Sequence, residues 1–571
     1  MAIDASAAPA PPSNGARSER RLLLAASLAI AVVALVAAQL SRAHIVDDAY
    51  IFFRYADNVL HGHGLTWNPG GERVEGYTSF LYLATLIPLR AASVDPVIAA
   101  RVLNTLSFAG AAALSVPLAR AALGERHRAL SFAPLLIAGS MQLAQTAHTG
   151  MESALFLFLV VLALTLHLRG PSGPRALALS GLVFALAALT RPEGLLVAGA
   201  CLIHAAVERR RASGSIEAGA EIPRLLVLLG VVAIHVAFRR AYYGEWLSNT
   251  YHAKVEPVSM ESLRVALSGL RDLLASPAGL FVGASLSLWV VAPVGPRVHL
   301  IGALLLGWIA YLLRLGLDEW SYWYALPLHL FALLLAGLSL TAILSAPAPA
   351  RYARGRAAVS SMLLVGLCFF DPARGRGGAF PLLTTIRIAT GLLVAGLAVM
   401  PIVLRGAPAP KLARLLVVSL FTVLCTHHVV QAVEAPGAPF PFLPIAEKLR
   451  EIAAPGETVA VGACGAIPYV SGLVTYDTLG LNDRHIAHHP STDRRLPFGH
   501  KKGDGRYILS KHPTYLIPIP IPTARPATGA GFEKTFAEIS TMRELRDDYE
   551  PVSLKLADGR YFNFHRRRAG H

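Results

Sequence analysis

A long apolar run that ends almost directly on a pair of carboxylates narrows what this chain can fold into more than any other feature. Residues 22–40 carry no charge, and a few positions later the chain reads DDAYIFFRYADNVLHGHGLTWNPGGERVEGY, Asp47 to Tyr77. An apolar helix of ~20 residues is long enough to cross the hydrocarbon core of a bilayer. Two adjacent carboxylates at the mouth of such a span are costly to hold beside a low-dielectric slab, so they mark a functional site by default. Arg17, Arg20 and Arg21 precede the run, which is long for a signal peptide. It is expected to remain as an uncleaved first span entering from the cytoplasm, behind a disordered N-terminus over residues 1–21.

The polar stretch has helical spacing. Asp47, Tyr50, Arg54, Asp57 and His61 share one face, and Ala49, Phe52, Phe53, Ala56 and Leu60 fall largely on the other. That pattern predicts a short amphipathic helix in the membrane interface, stopped at Gly62 and Gly64. Further apolar runs follow at 97–119, 130–147, 151–168, 176–190, 194–208, 224–239, 278–296, 298–314, 323–344, 358–370, 387–404 and 412–430. The run 78–90 reads as a second interfacial helix, because counting it as a crossing would invert every later loop against its charge. The fold class is therefore a polytopic α-helical membrane protein with about 11–13 transmembrane helices. With 54% hydrophobic and 15% charged residues, a soluble protein is excluded.

The net charge of +16 invites a nucleic-acid reading, but the basic residues stand in short clusters between apolar runs. That is the signature of cytoplasmic loops, so no nucleic-acid partner is expected. Arg120 to Arg128, Arg169 to Arg175, Arg209 to Arg211, Arg297 and Arg351 to Arg356 fall on that side. Left on the outer side are Asp47 to Tyr77, HTGME (148–152), TRPEG (190–194), YYGEWLSNTYHAK (242–254), GLDEWSYWY (316–324) and the tail after 430. Acids and phosphate-binding cations thus sort to one face. A Pro-rich linker within 431–444 leads to a small soluble α/β domain at 445–571, with helix-like Ile445–Ala453 and strand-like Thr458–Gly462 and Thr514–Pro518. The four cysteines form no disulfide framework or CxxC metal spacing.

The stretch DDAYIFFRYADNVLHGHGLTWNPGGERVEGYTSFLY, with GME, LTRPEG and YYGEWLSNTYHAK, resembles the GT-C superfamily of polyprenyl-phosphate-sugar glycosyltransferases. The likeness is nearest to terminal arabinofuranosyltransferases of cell-wall arabinan, and extends to GAIPYVSG, YDTLGLNDRHIA and GHKKGDGRYILSKHPTYLI in the tail. It implies an acidic catalytic base at the start of the first outer loop, a lipid-phosphate-linked sugar donor and a tail that assists acceptor binding. It also implies an inner-membrane protein of a bacterium, with a cytoplasmic N-terminus and an extracytoplasmic C-terminal domain. One departure stands out: LDEWSYWYALPLHL lacks the arginine that this family carries before its later Pro-Leu helix.

Inverting transfer needs a base for the acceptor hydroxyl and cations for the departing phosphate. Asp47 or Asp48 fits the base; the competing reading of Asp48 is a helix cap. The pair also suits a hard divalent cation, Mg²⁺ or Ca²⁺, although two ligands do not establish one. Arg54, Arg191 and Lys254 are the candidate phosphate ligands. Against these stand a surface pair of Arg54 with Asp57, a helix-end pair of Arg191 with Glu193, and a snorkelling Lys254. Tyr50, Glu72, Glu75, Tyr77, Glu152, Glu193, Tyr243, Asn249 and Asp318 are candidates for binding sugar or acceptor. Tyr242, Trp246, Trp320, Tyr322, Trp323 and Tyr324 read mainly as an interfacial aromatic belt. The expected partners are a polyprenyl-phosphate sugar, an envelope glycan or glycolipid, and membrane lipid. A lipid or polysaccharide transporter and a non-catalytic envelope scaffold are the rival readings.

Overall fold

In the computed structural model the chain is described over residues 14–345 and 440–569, apart from 42–43, 125–130, 172, 216–217, 258, 276, 316–321, 492–495, 497–498, 528–531 and 533. Helix α1 (Asn14–Leu40) leads into a loop holding α2 (Ala49–Leu60) and α3 (Phe80–Ala91). α4 (Pro96–Leu123) starts where Asp95 accepts the amides of Val97 and Ile98, both at 3.0 Å, with Pro96 in the first turn. α5 (Ala133–Ala138), α6 (Met141–Gln145), α7 (Ser153–Leu168), α8 (Pro174–Thr190), α9 (Gly194–Ser213) and α10 (Ile222–Tyr243) follow. Then come α11 (Asn249–Lys254), α12 (Met260–Ala275), α13 (Pro277–Val291), α14 (Pro296–Leu315) and α15 (Tyr322–Ser345).

Among the described residues, α1, α4, α10, α14 and α15 are long and apolar enough to cross a membrane, and α3, α7, α8 and α13 are shorter apolar helices. α1 and α10 leave rows of large apolar side chains uncovered, including Leu22, Leu28, Val32, Leu226, Leu229 and Ile234. Exposure on that scale suits lipid, not water. α15 is the opposite case, its centre wholly enclosed at Leu330, Phe331, Leu334, Leu335 and Leu338.

The apolar run 130–147 is not one span. It breaks into α5 and α6 at Gly139 and Ser140, where the Ser140 hydroxyl accepts the Leu143 amide and starts a new helix. The runs at 358–370, 387–404 and 412–430 and most of the 431–444 linker lie outside the described residues. α2 ends at Leu60, ahead of Gly62 at φ +80°.

The C-terminal domain opens with α16 (Phe442–Ile452), so the last three residues of the stretch expected to be linker are helical. β1 (Thr458–Val461), α17 (Ala466–Ser471), β2 (Val474–Asp477), α18 (Arg484–His488), α19 (Gly505–Ser510), β3 (Tyr515–Leu516), α20 (Arg543–Asp548), β4 (Tyr549–Lys555) and β5 (Tyr561–Arg567) complete it. The sheet order is β2-β1-β3-β5-β4, with β1 parallel to β2 and β3, and β5 antiparallel to β3 and β4. One face closes over Ile445, Leu449, Val459, Val461, Ile467, Tyr515, Phe562 and Phe564. This arrangement presents the start of α17 and the loop after β2 to the helical body.

Candidate active site

Asp47 and Asp48 are neighbours with different surroundings. The Asp47 carboxylate accepts the Gly465 amide at 2.9 Å and the Ala466 amide at 2.8 Å, at the beginning of α17. Burial pushes this carboxyl up to about 7, opposed by the two amides and reinforced by Asp48 and Asp477. Asp48 occupies the N-cap position of α2, but its side chain caps nothing, and among the described residues it makes no hydrogen bond or ion pair. Its carboxylate lines a cleft instead. Asp47 is thus engaged by the C-terminal domain, while Asp48 remains on the cleft. Of the two, Asp48 is the side chain that would meet a Mg²⁺ ion, which takes one or two carboxylates and completes its shell with water and substrate phosphate.

The polar face of α2 is covered by the C-terminal domain. Arg54 is buried and donates to the carbonyls of Trp67 at 2.8 Å, Pro468 at 2.6 Å and Leu473 at 2.9 Å, and to Asn68 Oδ1 at 3.0 Å. Its guanidinium also stacks over the Trp67 ring at 4.6 Å. With four of its five N–H groups engaged inside the junction, Arg54 fastens the two parts of the chain; nor does it pair with Asp57, which binds Arg90 at 2.6 Å. Tyr50 serves the same junction, packed against Phe53, Phe440 and Tyr469.

The cleft draws on all six polar segments and holds about 460 Å³ of empty space, solvent at its mouth included. Asp48 and Phe52 come from α2, Tyr77 and Thr78 from the turn before α3, Met151 and Glu152 from the loop before α7, and Arg191 from the break between α8 and α9. Thr250 and Lys254 come from α11, Trp323 and Tyr324 from α15, and Leu481 from the C-terminal domain. Arg191 donates to Glu152 at 2.7 Å and to Glu193 at 3.1 Å, and its guanidinium lies 4.4 Å from the centre of the Tyr324 ring. Tyr311 donates to the same Glu193 oxygen at 2.6 Å. The second oxygen of Glu152 and that of Glu193 are buried with no hydrogen-bond donor among the described residues. Lys254 makes no hydrogen bond or ion pair among them; burial alone would lower its ammonium, yet Tyr324, Asp48 and Glu152 hold it above the ordinary lysine value.

The other predicted residues divide. Tyr77 and Tyr243 share a hydroxyl–hydroxyl hydrogen bond at 2.9 Å, with Tyr77 reaching the cleft and Tyr243 supporting it from behind. Glu75 is buried in a two-pronged pair with Arg239, and Glu72 pairs with Arg484 at 3.1 Å near the surface. Asn249 donates to the carbonyls of Gly480 at 2.8 Å and Leu481 at 2.9 Å. These four, Glu72, Glu75, Tyr243 and Asn249, therefore brace the walls and do not line the space. Asp318 and Trp320 lie outside the described residues. Trp323 and Tyr324 face the cleft, not a lipid belt.

Sequence reasoning did not single out Thr78, Thr250 or Leu481, although the last lies in YDTLGLNDRHIA. The loop that carries Leu481 is shaped by Asp477, whose carboxylate accepts the amides of Leu479 at 2.9 Å, Gly480 at 3.1 Å and Asn482 at 2.7 Å. Gly480 sits at φ +83°, and a side chain there would reach within 2.7 Å of the Ala487 amide. The spacing DTLGLN was the available signal, an acid followed by a glycine turn.

Two structures of ArnT from Cupriavidus metallidurans match over 81% of this chain and 86% of theirs. The undecaprenyl phosphate-bound form has a TM-score of 0.51 at 14% identity, and the apo form 0.50 at 15%. The fold is of the GT-C type. Arabinosyltransferase EmbB from Mycobacterium smegmatis also matches, with a TM-score of 0.46 at 13% identity, over 76% of this chain and 42% of that one. No curated protein matches by sequence. Residues 431–565, attached to this GT-C body, match a family described only as a domain of unknown function (DUF8728).

Proposed function

We propose that the protein is an inverting membrane glycosyltransferase that moves a sugar from a polyprenyl phosphate to an envelope glycan or glycolipid. The observation that carries this reading is an unpartnered carboxylate, Asp48, in one cleft with Arg191 and Lys254. ArnT, which shares the fold, was crystallised with undecaprenyl phosphate. A pentofuranose such as arabinofuranose is the donor sugar favoured by the motifs. The reaction takes place on the outer side of a bacterial inner membrane, with the N-terminus in the cytoplasm.

In this mechanism Asp48 takes the proton of an acceptor hydroxyl while that oxygen attacks the anomeric carbon. The bond from that carbon to the phosphate oxygen breaks, and the polyprenyl phosphate departs with the electron pair. Lys254 and Arg191 meet its growing charge. Once Asp48 is protonated, the charges of Glu152, Glu193, Arg191 and Lys254 cancel, so the leaving phosphate is not repelled. The unpartnered oxygen of Glu152 accepts a sugar hydroxyl. Glu152 and Glu193 hold the Arg191 guanidinium in one plane, which replaces freely rotating cation with a fixed fork.

The test is transfer of label from synthetic polyprenyl-phosphate pentose or hexose to an envelope fraction by membranes containing the protein. Release of polyprenyl phosphate with either donor supports the reading. Inactivity with every donor, together with donor-independent glycolipid movement in liposomes, points to transport instead.

A further inference from the structure

Away from the cleft, a second group of chemistry-bearing side chains converges across the same junction. Glu245 lies on the turn after α10, His252 on α11 and His488 at the end of α18. One ligand atom from each lies within 4.8 Å of the other two, and no other trio of His, Cys, Asp or Glu does so among the described residues. The two imidazoles are stacked, with ring centres 4.1 Å apart and 29° between their planes. Neither makes a hydrogen bond among the described residues, and His488 Nε2 stands 3.9 Å from Glu245 Oε1. Burial, with His488 beside it, holds the His252 imidazole below its ordinary value.

We propose that Glu245, His252 and His488 form a zinc site that clamps the α10–α11 segment to the C-terminal domain. Two imidazole nitrogens and one carboxylate oxygen are a set that zinc takes in tetrahedral sites, whereas Mg²⁺ and Ca²⁺ ask for oxygen throughout. Metal–nitrogen bonds of ~2.0 Å place tetrahedral ligands about 3.3 Å apart, so the three atoms close in by at most about 1.5 Å and the rings splay toward one ion. His488 is exposed and free to make that rotation.

The cations facing the group each have another acid. Arg484, 3.8 Å from Glu245, also pairs with Glu72 at 3.1 Å. Lys502, which acts on His252, pairs with Glu256 at 3.8 Å. Glu245 is therefore released to the metal without stranding either charge.

The site has a structural consequence that does not depend on the proposed reaction. His252 stands between Thr250 and Lys254, both on the cleft wall, and His488 follows the loop that brings in Leu481. A bound ion fixes these two walls against each other.

Tag-free protein in detergent, stripped with EDTA and titrated with Zn²⁺ against a chromophoric chelator, tests this. One zinc per chain is expected, bound more than ~10-fold more weakly by His252→Ala and His488→Ala and unchanged in His489→Ala. Zinc should raise the Tm of the wild type and not that of His488→Ala. His488 is outside the packed core, so a zinc-free Tm equal to wild type shows that this variant is folded and makes it decisive. Equal zinc affinity in wild type and His488→Ala, or loss of binding in His489→Ala with His488→Ala intact, overturns the site.

Discussion

The Asp47 carboxylate and the Gly465 amide meet at 2.9 Å although 418 positions separate them in the chain. That contact assigns different work to two adjacent acids. Asp47 holds the C-terminal domain against the start of α2, and Asp48, one residue on, is left facing the cleft.

Asp48→Asn should abolish transfer while leaving the fold intact. Removing a general base typically lowers kcat ~10²- to 10⁴-fold. Because the Asp48 side chain has no hydrogen-bond partner among the described residues, the Tm should stay within about 1 °C of wild type, the shift of a near-neutral substitution. Activity above a tenth of wild type, with equal expression, would remove Asp48 from the chemistry.

Asp47→Asn should act on pH dependence of stability. Folding raises the Asp47 carboxyl from its ordinary 3.8 to about 7. Its contribution to stability is therefore complete below the unfolded value and is lost as pH rises through the folded one. Thermal scans between about pH 4 and pH 8 should show wild-type stability declining toward the alkaline end and a flatter profile for the variant. Parallel profiles would contradict the burial described for this group.

Arg54→Ala should loosen the domain junction, leaving the carbonyls of Trp67, Pro468 and Leu473 without a donor. The loss is about 2 kcal/mol or more, the scale of hydrogen bonds to a charged group. Faster proteolytic release of the C-terminal domain is the readout. A rise in donor KM with an unchanged cleavage rate would restore Arg54 to phosphate binding.

Arg191→Lys keeps the charge but cannot span Glu152 and Glu193 as a fork. A fall in kcat/KM of ~10-fold or more is expected, in line with misplacement of a transition-state cation. Wild-type kinetics in the lysine variant would mean that charge alone is needed.

Gly465→Ala should undock the domain, because a Cβ there would lie 1.8 Å from the Asp47 carbonyl oxygen. Loss of turnover with the isolated sheet fold retained, by proteolytic fragment pattern, is the expected result. Full activity would show that the junction can shift without disturbing the cleft.

The acids were legible in the sequence because charge beside a membrane is expensive wherever it occurs. Glu152, Arg191 and Lys254 could thus be named one loop at a time, and Asp47 and Asp48 only as a pair, since nothing local says which of them faces the cleft. Arg54 could not be read correctly, since its partner Pro468 lies 414 positions away and nothing local announces a carbonyl acceptor. The break at Gly139 and Ser140 was hidden for another reason: hydropathy counts apolar atoms and does not see a serine capping a helix. In the tail, β4 was not named, and Pro551 within it is a residue that disfavours the interior of a sheet. It stands at the sheet edge, where a missing amide does no harm.

The junction between Asp47 and Gly465 also orders events in time. Synthesis runs from the N-terminus, so α1 to α15 can enter the bilayer while residues 465–481 have yet to leave the ribosome. Until then Asp47 has no amides to bind and Leu481 has not closed its side of the cleft. The cleft is thus completed only after residue 481 has emerged, and a nascent chain already in the membrane holds an unfinished pocket until then.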